Sequence, residues 1–379
     1  MKAYKYRIYP SKAQEREMNK HLWLSKNLWN ELLAHNKRMY RDYGYFATKN
    51  SMQRMVKEYG LFSQTQQAIS DRLQKAIMRY LSLKKQGKEC GFPRFKSIGG
   101  MKSLAYPQHG FRLNKKLKVS PFGEIKIKRH REIEGKIKTL SLKKYASGKW
   151  FAVFCAEQEK RQPAPNNGGQ IGIDLGLITF AACSDGKKIV NPKHIKLHEG
   201  KLASMQRRFV RKIKRSRNRI KAKVKIARLH ERVANSRKDF LHKISTNLVN
   251  DCSLIALEKL QSQKMAEQTY GKFINDAGWG MFADMLRYKA ESAGCEVVFV
   301  NPKNTTKMCS RCGSLHDLPL SQRVYSCECG LEMDRDVNAA INMLALAMQD
   351  TPGMSGINAC GNGTIVPSMK QEARGFSHG

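Results

Sequence analysis

Apolar and polar residues alternate at the start of the chain and then change to helical spacing. Residues 2–9 alternate apolar side chains with lysine and arginine, which predicts an amphipathic strand. Apolar residues then recur three or four positions apart as far as about Tyr43, and again between Ile69 and Leu81. This spacing is typical of helices that bury one face, so we expect two helices here.

Short β-like runs follow the second predicted helix. Together with the opening strand they predict a small β-barrel over residues 1–165, with a helical insertion at about residues 12–86. The runs are residues 125–127, 137–142 and 150–155.

A segment rich in Pro, Asn and Gly, residues 161–169, predicts a linker and a domain boundary near residue 165. After it, strand-length apolar runs alternate with helical spacing, which favours a mixed α/β sheet in residues 166–349. The tail, residues 350–379, is rich in Gly, Ser and Asn and is predicted to be disordered. The predicted strands of this half are 170–175, 253–257 and 295–300, and its predicted helices are about 199–250 and 280–292.

The chain has 70 Lys and Arg against 31 Asp and Glu, a formal net charge of +39. This exceeds what solubility requires, so it indicates a polyanionic partner. Nucleic acid fits best, because each neutralised phosphate releases a counterion. An anionic membrane surface is the alternative, but the sequence shows no amphipathic anchor, no apolar stretch of the ~18 residues that span a bilayer and no signal peptide. We therefore expect a cytoplasmic, nucleoid-associated protein with no membrane partner.

Residues 201–240 concentrate the positive charge, with sixteen Lys or Arg and two acidic residues. Apolar residues recur among them at roughly helical intervals, so the simplest interpretation is a solvated helix with one packed stripe. The same basic face can also contact phosphates. The candidates for that contact are Arg207, Arg208, Arg211, Lys212 and Lys214.

Asp174 is a single carboxylate near the end of an apolar strand, flanked by Gly172 and Gly176. Burying an unpaired carboxylate is costly, so the group should bind a cation or stay protonated through a raised pKa. Actin-like ATPases and sugar kinases place a similar segment on their first strand, which leaves phosphotransferase chemistry as an alternative. The sequence has no glycine-rich phosphate loop to complete such a site.

Two further segments carry acids that could act together with Asp174. Glu258 ends another apolar strand, although alone it could be an exposed residue that pairs with Lys259. Asp334 and Asp336 begin a helix, where helix capping would explain either one. Carboxylates from separate segments can converge at one sheet edge, where hard oxygen ligands suit Mg²⁺ or Mn²⁺ and phosphodiester hydrolysis.

Four cysteines lie in two close pairs, Cys309 with Cys312 and Cys327 with Cys329. In a reducing compartment such clusters indicate a metal rather than disulfides, and four thiols predict structural Zn²⁺. The second pair has only one residue between its cysteines, and His316 is a weaker substitute ligand.

These residues together resemble the TnpB family of transposon-encoded proteins, relatives of the type V CRISPR effectors. The resemblance spans nearly the whole chain, and the acids in this order with the cysteines before the third are its most specific part. The matching segments are residues 5–10, 92–97, 172–176, 257–260, 301–306 and 334–342.

The resemblance implies a WED-like β-barrel with a REC-like helical insertion, then an RNase H/RuvC-like domain with a zinc ribbon inserted at about residues 305–333. It implies that Asp174, Glu258 and Asp336 are the catalytic residues and the Mg²⁺ ligands. Asp336 is preferred to Asp334 because it stands two residues before Asn338.

The resemblance also implies a guide RNA transcribed from the transposon end and cleavage of double-stranded DNA next to a short transposon-adjacent motif, by a protein that is monomeric in its complex. Guide pairing would then read the sequence, while the protein would bind backbone and shape. A nuclease-inactive, guided DNA-binding regulator of the same family is the alternative, and the presence of all three acids argues against it. The N-terminal candidates for duplex contact are Gln66, Gln67, Arg72 and Lys75.

Overall fold

The computed structural model divides the chain into two compact units. The first unit is Met1–Lys160 with Lys223–Arg228, and the second is Arg161–Ala222 with Leu229–Gly379. The predicted boundary near residue 165 and the predicted disordered tail lie outside the described residues. The structure describes residues 1–55, 59–158, 167–259, 271–319 and 322–350.

Three helices follow the first strand in the first unit: α1 (Lys12–Tyr43), α2 (Lys49–Met55) and α3 (Ser63–Lys85). Helix α1 begins with a capping box, in which Ser11 and Gln14 each accept a hydrogen bond from the other's backbone N–H. It ends at Gly44, whose left-handed conformation suits glycine. Helix α3 contains the helix predicted between residues 69 and 81.

Seven antiparallel strands form the sheet of the first unit, in the order β2-β6-β7-β1-β5-β4-β3. The side chains of Tyr4, Tyr6 and Ile8 are at most 1% exposed, so the predicted amphipathic strand buries its apolar face. The sheet is nearly closed and barrel-like. Its strands are β1 (Lys2–Tyr9), β2 (Ser103–Tyr106), β3 (Phe111–Leu113), β4 (Leu117–Val119), β5 (Gly123–Lys128), β6 (Lys136–Lys144) and β7 (Trp150–Glu157).

The second unit contains a five-stranded mixed sheet in the order β10-β9-β8-β11-β12. Strand β11 pairs in parallel with both β8 and β12, whereas β9 pairs antiparallel with both β8 and β10. This confirms the predicted mixed α/β class. Its strands are β8 (Gly169–Leu175), β9 (Thr179–Cys183), β10 (Lys188–Val190), β11 (Cys252–Glu258) and β12 (Glu296–Val300). The other elements are α4 (Glu199–Val210), α5 (Arg217–Asp251), α6 (Gly271–Ala277), α7 (Trp279–Ala293), α8 (Arg335–Asp350) and the short hairpin β13 (Val324–Ser326) and β14 (Glu332–Asp334).

The two faces of this sheet pack against different helices. Side chains alternate between faces along a strand, so one set from β8 and β11, including Ile173 and Leu257, packs with residues of α5 and α7. The other set, including Leu254 and Ala256, packs with Met343 and its neighbours on α8. Helix α8 therefore covers one face of the sheet.

The helix predicted over residues 199–250 is interrupted. Helix α4 ends at Val210, Arg215 has a positive φ of 67°, and Ser216 caps the start of α5 by accepting a hydrogen bond from the backbone of Arg219. The predicted packed stripe was wrong at this point, because Ile213 lies in the turn and is 81% exposed. Across the described residues, no helix combines the length and apolar character needed to cross a bilayer.

Candidate active site and zinc site

Asp174 and Glu258 lie side by side at the ends of two neighbouring strands. Strands β8 and β11 are parallel, and Ile173 is in register with Leu257, so the next residue of each strand is one of the two acids. The carboxyl ends of parallel strands meet at one sheet edge. Asp174 shares its face with Gly172, and Glu258 shares its face with Ala256. Both acids thus lie on the face that α8 covers.

Helix α8 brings Asp336 to the same edge. A Cβ added at Gly172 would lie 1.9 Å from the carbonyl oxygen of Ala340, so the helix backbone packs directly on β8 there. Asp336 precedes Ala340 by one helical turn and therefore lies on the sheet-facing side of α8. Only glycine at position 172 permits this approach.

The carboxylates of Asp336 and Glu258 act electrostatically on Asp174. Burial, followed by the nearby charges of Asp336 and Glu258, raises the pKa of Asp174 to about 7, and the cation of Arg335 opposes this rise. Burial also raises the pKa of Glu258. A site that disfavours its own negative charge is stabilised when a divalent cation binds.

The carboxylates do not form a closed cage around one ion. Within the described part of the chain, the four thiols form the group whose ligand atoms all lie within 4.8 Å of one another, and the three acids do not belong to such a group.

Asp334 and Asp336 have different roles. Asp334 caps α8, because its Oδ1 accepts hydrogen bonds from the backbone N–H groups of Asp336 (3.1 Å) and Val337 (3.2 Å). Its Oδ2 lies 2.5 Å from Lys188 Nζ. Burial would raise the pKa of Asp334, but these hydrogen bonds lower it below its usual value. The carboxylate of Asp334 is thus engaged by the helix cap and by Lys188, whereas the assignment of Asp336 as a metal ligand stays a prediction from the resemblance.

Two arginines approach Asp336. Arg335 Nε lies 3.9 Å from one carboxylate oxygen and Arg323 Nη1 lies 4.0 Å from the other. Neither residue was among the candidates predicted from the sequence. The position of Arg335 between Asp334 and Asp336 could have identified it from the sequence. Arg323 lies near Asp336 because strand β13, which follows it, pairs with β14 just before α8.

The four cysteines converge as predicted. Cys309 Sγ and Cys329 Sγ are 3.6 Å apart, and Cys312 Sγ and Cys327 Sγ are 3.5 Å apart. Tetrahedral zinc with bonds of ~2.3 Å places sulfurs about 3.8 Å apart, so the set fits Zn²⁺. The glycine after each pair, Gly313 and Gly330, turns the chain with a positive φ and donates its N–H to the carbonyl of Cys309 or Cys327. The shorter spacing of Cys327 and Cys329 thus brings both of their thiols to the cluster, as the spacing of Cys309 and Cys312 does.

His316 stands beside this cluster. Its Nε2 lies 3.3 Å from Cys327 Sγ, within hydrogen-bonding distance, while the four thiols complete the ligand set. Hydrogen bonds from the hydroxyl and backbone N–H of Ser314 lower the pKa of Cys312 below its usual value. A thiolate at neutral pH favours metal binding.

The basic candidates of the second unit surround the turn between α4 and α5. Arg207 and Arg208 end α4, whereas Arg211, Lys212 and Lys214 lie in the turn rather than on a helix. Arg219 braces the turn, with its guanidinium 4.3 Å from the ring centroid of Phe209 and a 2.6 Å hydrogen bond to the carbonyl of Lys212. None of the ion pairs between described residues involves the five candidates, and four of them are exposed.

The candidates of the first unit all lie on α3 and differ in exposure. Gln66 is 7% exposed and donates its amide to the carbonyl of Leu61. The guanidinium of Arg72 contacts Ser103 Oγ at 3.4 Å, and burial lowers its pKa. Gln67 and Lys75 are exposed, so these two are the accessible members of the set.

Three family models match successive parts of the chain. A "Helix-turn-helix domain" model matches residues 1–44, a "Probable transposase" model matches residues 153–269, and a "Cas12f1-like, TNB domain" model matches residues 279–343. In this structure, residues 1–44 form strand β1 and one continuous helix, α1.

Individual relatives align over most of the chain. A Streptomyces pristinaespiralis protein named as an RNA-guided DNA endonuclease is 32% identical over 99% of this chain and 94% of its own length. A protein of Escherichia coli K12 named as the RNA-guided DNA endonuclease InsQ is 29% identical over 91% of this chain and 92% of its own. A chain in a cryo-EM structure of a Cas12f1–sgRNA–target DNA complex covers 90% of this chain and 98% of its own, with 16% identity and a TM-score of 0.36. The near full-length match to the first relative, together with the family models, shows that the chain belongs to the TnpB family of transposon-encoded proteins.

Proposed function

We propose that this chain is an RNA-guided, metal-dependent DNA endonuclease whose catalytic carboxylates are Asp174, Glu258 and Asp336. The observation that carries the proposal is that Asp174 and Glu258 end neighbouring strands beneath the helix that carries Asp336, with a pKa of about 7 for Asp174 that burial and the other two acids produce. A buried acid whose pKa is raised by burial and by neighbouring carboxylates is typical of functional sites.

The carboxylates suit Mg²⁺ or Mn²⁺ because they offer hard oxygen ligands. When bound, such ions polarise the phosphate and activate a water for phosphodiester hydrolysis. Two acids are held on adjacent strands and the third on a helix that packs on the strand backbone, so the chain fixes the carboxylates before the substrate arrives. The sheet order supports an RNase H/RuvC-like domain. Three strands that pair antiparallel, β10, β9 and β8, are followed in the sheet by β11 and β12, which run parallel to β8.

The partners of the proposed enzyme are a guide RNA and double-stranded DNA. The relatives' names describe RNA guidance, and the net charge of +39 suits two nucleic acids at once. In this proposal the guide reads the target, cleavage occurs beside a short transposon-adjacent motif, and the protein acts as a monomer. The exposed basic residues of the α4–α5 turn, with Gln67 and Lys75 on α3, would contact the nucleic acid backbone. Zinc at the four thiols has a structural role.

The test is cleavage by the complex purified together with RNA from its own locus. Plasmids would carry the guide-matched target beside a randomised flank, in buffer with Mg²⁺. We expect Asp174→Ala, Glu258→Ala and Asp336→Ala to lose cleavage by at least about a thousandfold and to keep guided DNA binding in a gel-shift assay. Asp284→Asn is the matched control, because Asp284 is an exposed acid on α7 that pairs with Arg287, and this variant should cut normally.

Three outcomes would contradict the proposal. Undiminished cleavage by Asp174→Ala in Mg²⁺ would show that the three carboxylates are not the catalytic site. Guided binding by the unaltered protein without cleavage under any divalent cation would instead indicate the DNA-binding regulator. Nucleotide hydrolysis that needs no nucleic acid would indicate the phosphotransferase alternative.

A further inference from the structure

Two buried asparagines on α8 contact the loop that carries the first zinc ligand. Asn338 is 0% exposed and Asn342 is 2% exposed. The side-chain amides of both donate to the carbonyl oxygen of Met308, each at 2.7 Å. The Oδ1 of Asn338 also accepts the backbone N–H of Ser310 at 3.0 Å. The backbone groups on both sides of Cys309 are thus bonded to one helix.

Cys309 is the most enclosed of the four thiols, at 1% exposure. The backbone N–H groups of Arg311 and Cys312 are hydrogen-bonded to its sulfur, so its loop is shaped around the sulfur position. Asn342 extends the contact by donating to the carbonyl of Thr305 at 2.9 Å. The position of Cys309 therefore depends both on the metal that gathers the thiols and on the asparagines of α8.

The same helix carries the third carboxylate. Asn338 follows Asp336 by two residues, within the first turn of α8. The hairpin also holds this helix start directly, because the N–H of Arg335 donates to the carbonyl of Arg323 at 2.8 Å and its guanidinium donates to the carbonyl of Pro319 at 3.1 Å. On the opposite side, α8 rests on the strand backbone at Gly172. The start of α8 is held between the sheet and the zinc loop.

We propose that Asn338 and Asn342 are positioning residues that couple the zinc loop to the carboxylate of Asp336, so that loss of zinc weakens divalent-cation binding at the three acids. This inference rests on the proposed function, because it assumes that Asp336 is a metal ligand. Coupling between two binding sites is reciprocal in free energy, so a divalent cation bound at the acids should also raise the affinity for zinc. The asparagines, which bond the backbone on both sides of Cys309, should in addition slow the release of zinc. A role limited to satisfying buried polar groups would lower the stability of the protein without linking the two metals.

The decisive measurement is binding of Mn²⁺, monitored by the EPR signal of the free ion, to the full-length protein without nucleic acid. The samples are the unaltered protein with zinc, the same protein after zinc removal, Asn338→Ala, Asn342→Ala and Asp336→Ala. Outer-shell partners of metal ligands typically change affinity by about 10- to 100-fold, and we expect a loss of that size in the zinc-free sample and in Asn338→Ala. Met343→Ala is the matched control, since Met343 is equally buried on α8 but packs on the sheet.

The rate of zinc release to a chromogenic chelator supplies a second, kinetic measurement. We expect Asn338→Ala to release zinc about tenfold faster or more, Asn342→Ala to act in the same direction, and Met343→Ala to match the unaltered protein. If the asparagine variants do not fold, hydrogen exchange on the unaltered protein replaces them. Zinc removal should then raise amide exchange in the first two turns of α8, and unchanged exchange there would overturn the coupling.

The outcomes separate this inference from the proposed function. If Mn²⁺ binding is the same in Asp336→Ala as in the unaltered protein, the carboxylate site itself is wrong. If Mn²⁺ binding depends on Asp336 but not on zinc or Asn338, the site is retained and the coupling is refuted. Fast zinc release from Asn338→Ala with unchanged Mn²⁺ affinity would also refute it.

Discussion

Replacing Asp174 with asparagine should stabilise the metal-free protein above neutral pH. The difference between an ordinary aspartate pKa near 3.8 and a value of about 7 corresponds to roughly 4 kcal/mol of unfavourable free energy. In the unfolded chain the group ionises near its ordinary pKa, whereas in the folded chain it holds its proton until about pH 7. The free energy of unfolding therefore falls as the pH rises from about 4 to 7, and the full penalty remains above that range.

Urea unfolding of both proteins at pH 5, 6, 7 and 8, in buffer with a chelator of Mg²⁺, measures this effect. The asparagine variant should be more stable at pH 8 by a few kcal/mol, and the difference should shrink as the pH falls toward 4. Mg²⁺ should stabilise only the unaltered protein, most strongly above pH 7, where it no longer competes with a proton.

Asp334→Asn provides a control with a shift of opposite sign. The hydrogen bonds from Lys188 and the start of α8 lower the pKa of Asp334, so its contribution is present above the ordinary aspartate pKa and is lost in acid. This variant should be less stable by about 1 kcal/mol at pH 8, as for a weakened helix cap. Parallel pH profiles for Asp174→Asn and the unaltered protein would refute the proposed effect of the buried acid.

Three further predictions follow from other parts of the molecule. Gly172→Ala should destabilise the second unit by about 2–3 kcal/mol in urea unfolding, because its Cβ would meet the carbonyl of Ala340; equal stability would show that α8 can shift freely. Zinc chelation or Cys312→Ser should raise amide exchange over the β13–β14 hairpin and leave the seven-stranded sheet protected, since the thiols belong to the second unit and the sheet to the first. Neutralising the basic candidates of the α4–α5 turn should weaken binding to all sequences alike and lower the salt slope by about one for each lost phosphate contact; a loss confined to one sequence would mean that they read bases. These candidates are Arg207, Arg208, Arg211, Lys212 and Lys214.

The sequence was sufficient to place two of the acids. An apolar run that stops at a carboxylate predicts a buried strand end, and two such runs in a mixed sheet predict neighbouring ends at one edge. Asp174 and Glu258 follow this logic in the structure. The four cysteines were equally predictable, because closely spaced thiols in a reducing compartment usually bind a metal.

Other features depend on contacts between distant segments. The choice of Asp336 over Asp334 came from the family resemblance, since either acid could cap a helix in isolation. The contact of Asn338 with the zinc loop gave no local signal, because its partners lie about thirty residues earlier in the chain. The break before α5 was missed because the apolar residues kept helical spacing through Ile213, although Arg215 leaves the helical conformation.

The missing side chain at position 172 also sets the size of the proposed metal site. The height of α8 above β8, and with it the reach from Asp336 to Asp174, is set by contact between two backbones rather than by side chains that can change rotamer. Exchanging carboxylates for longer or shorter ones would alter the ligands but not this spacing. An engineer who wished to admit a larger cation such as Ca²⁺ would therefore have to change residue 172 before any of the acids.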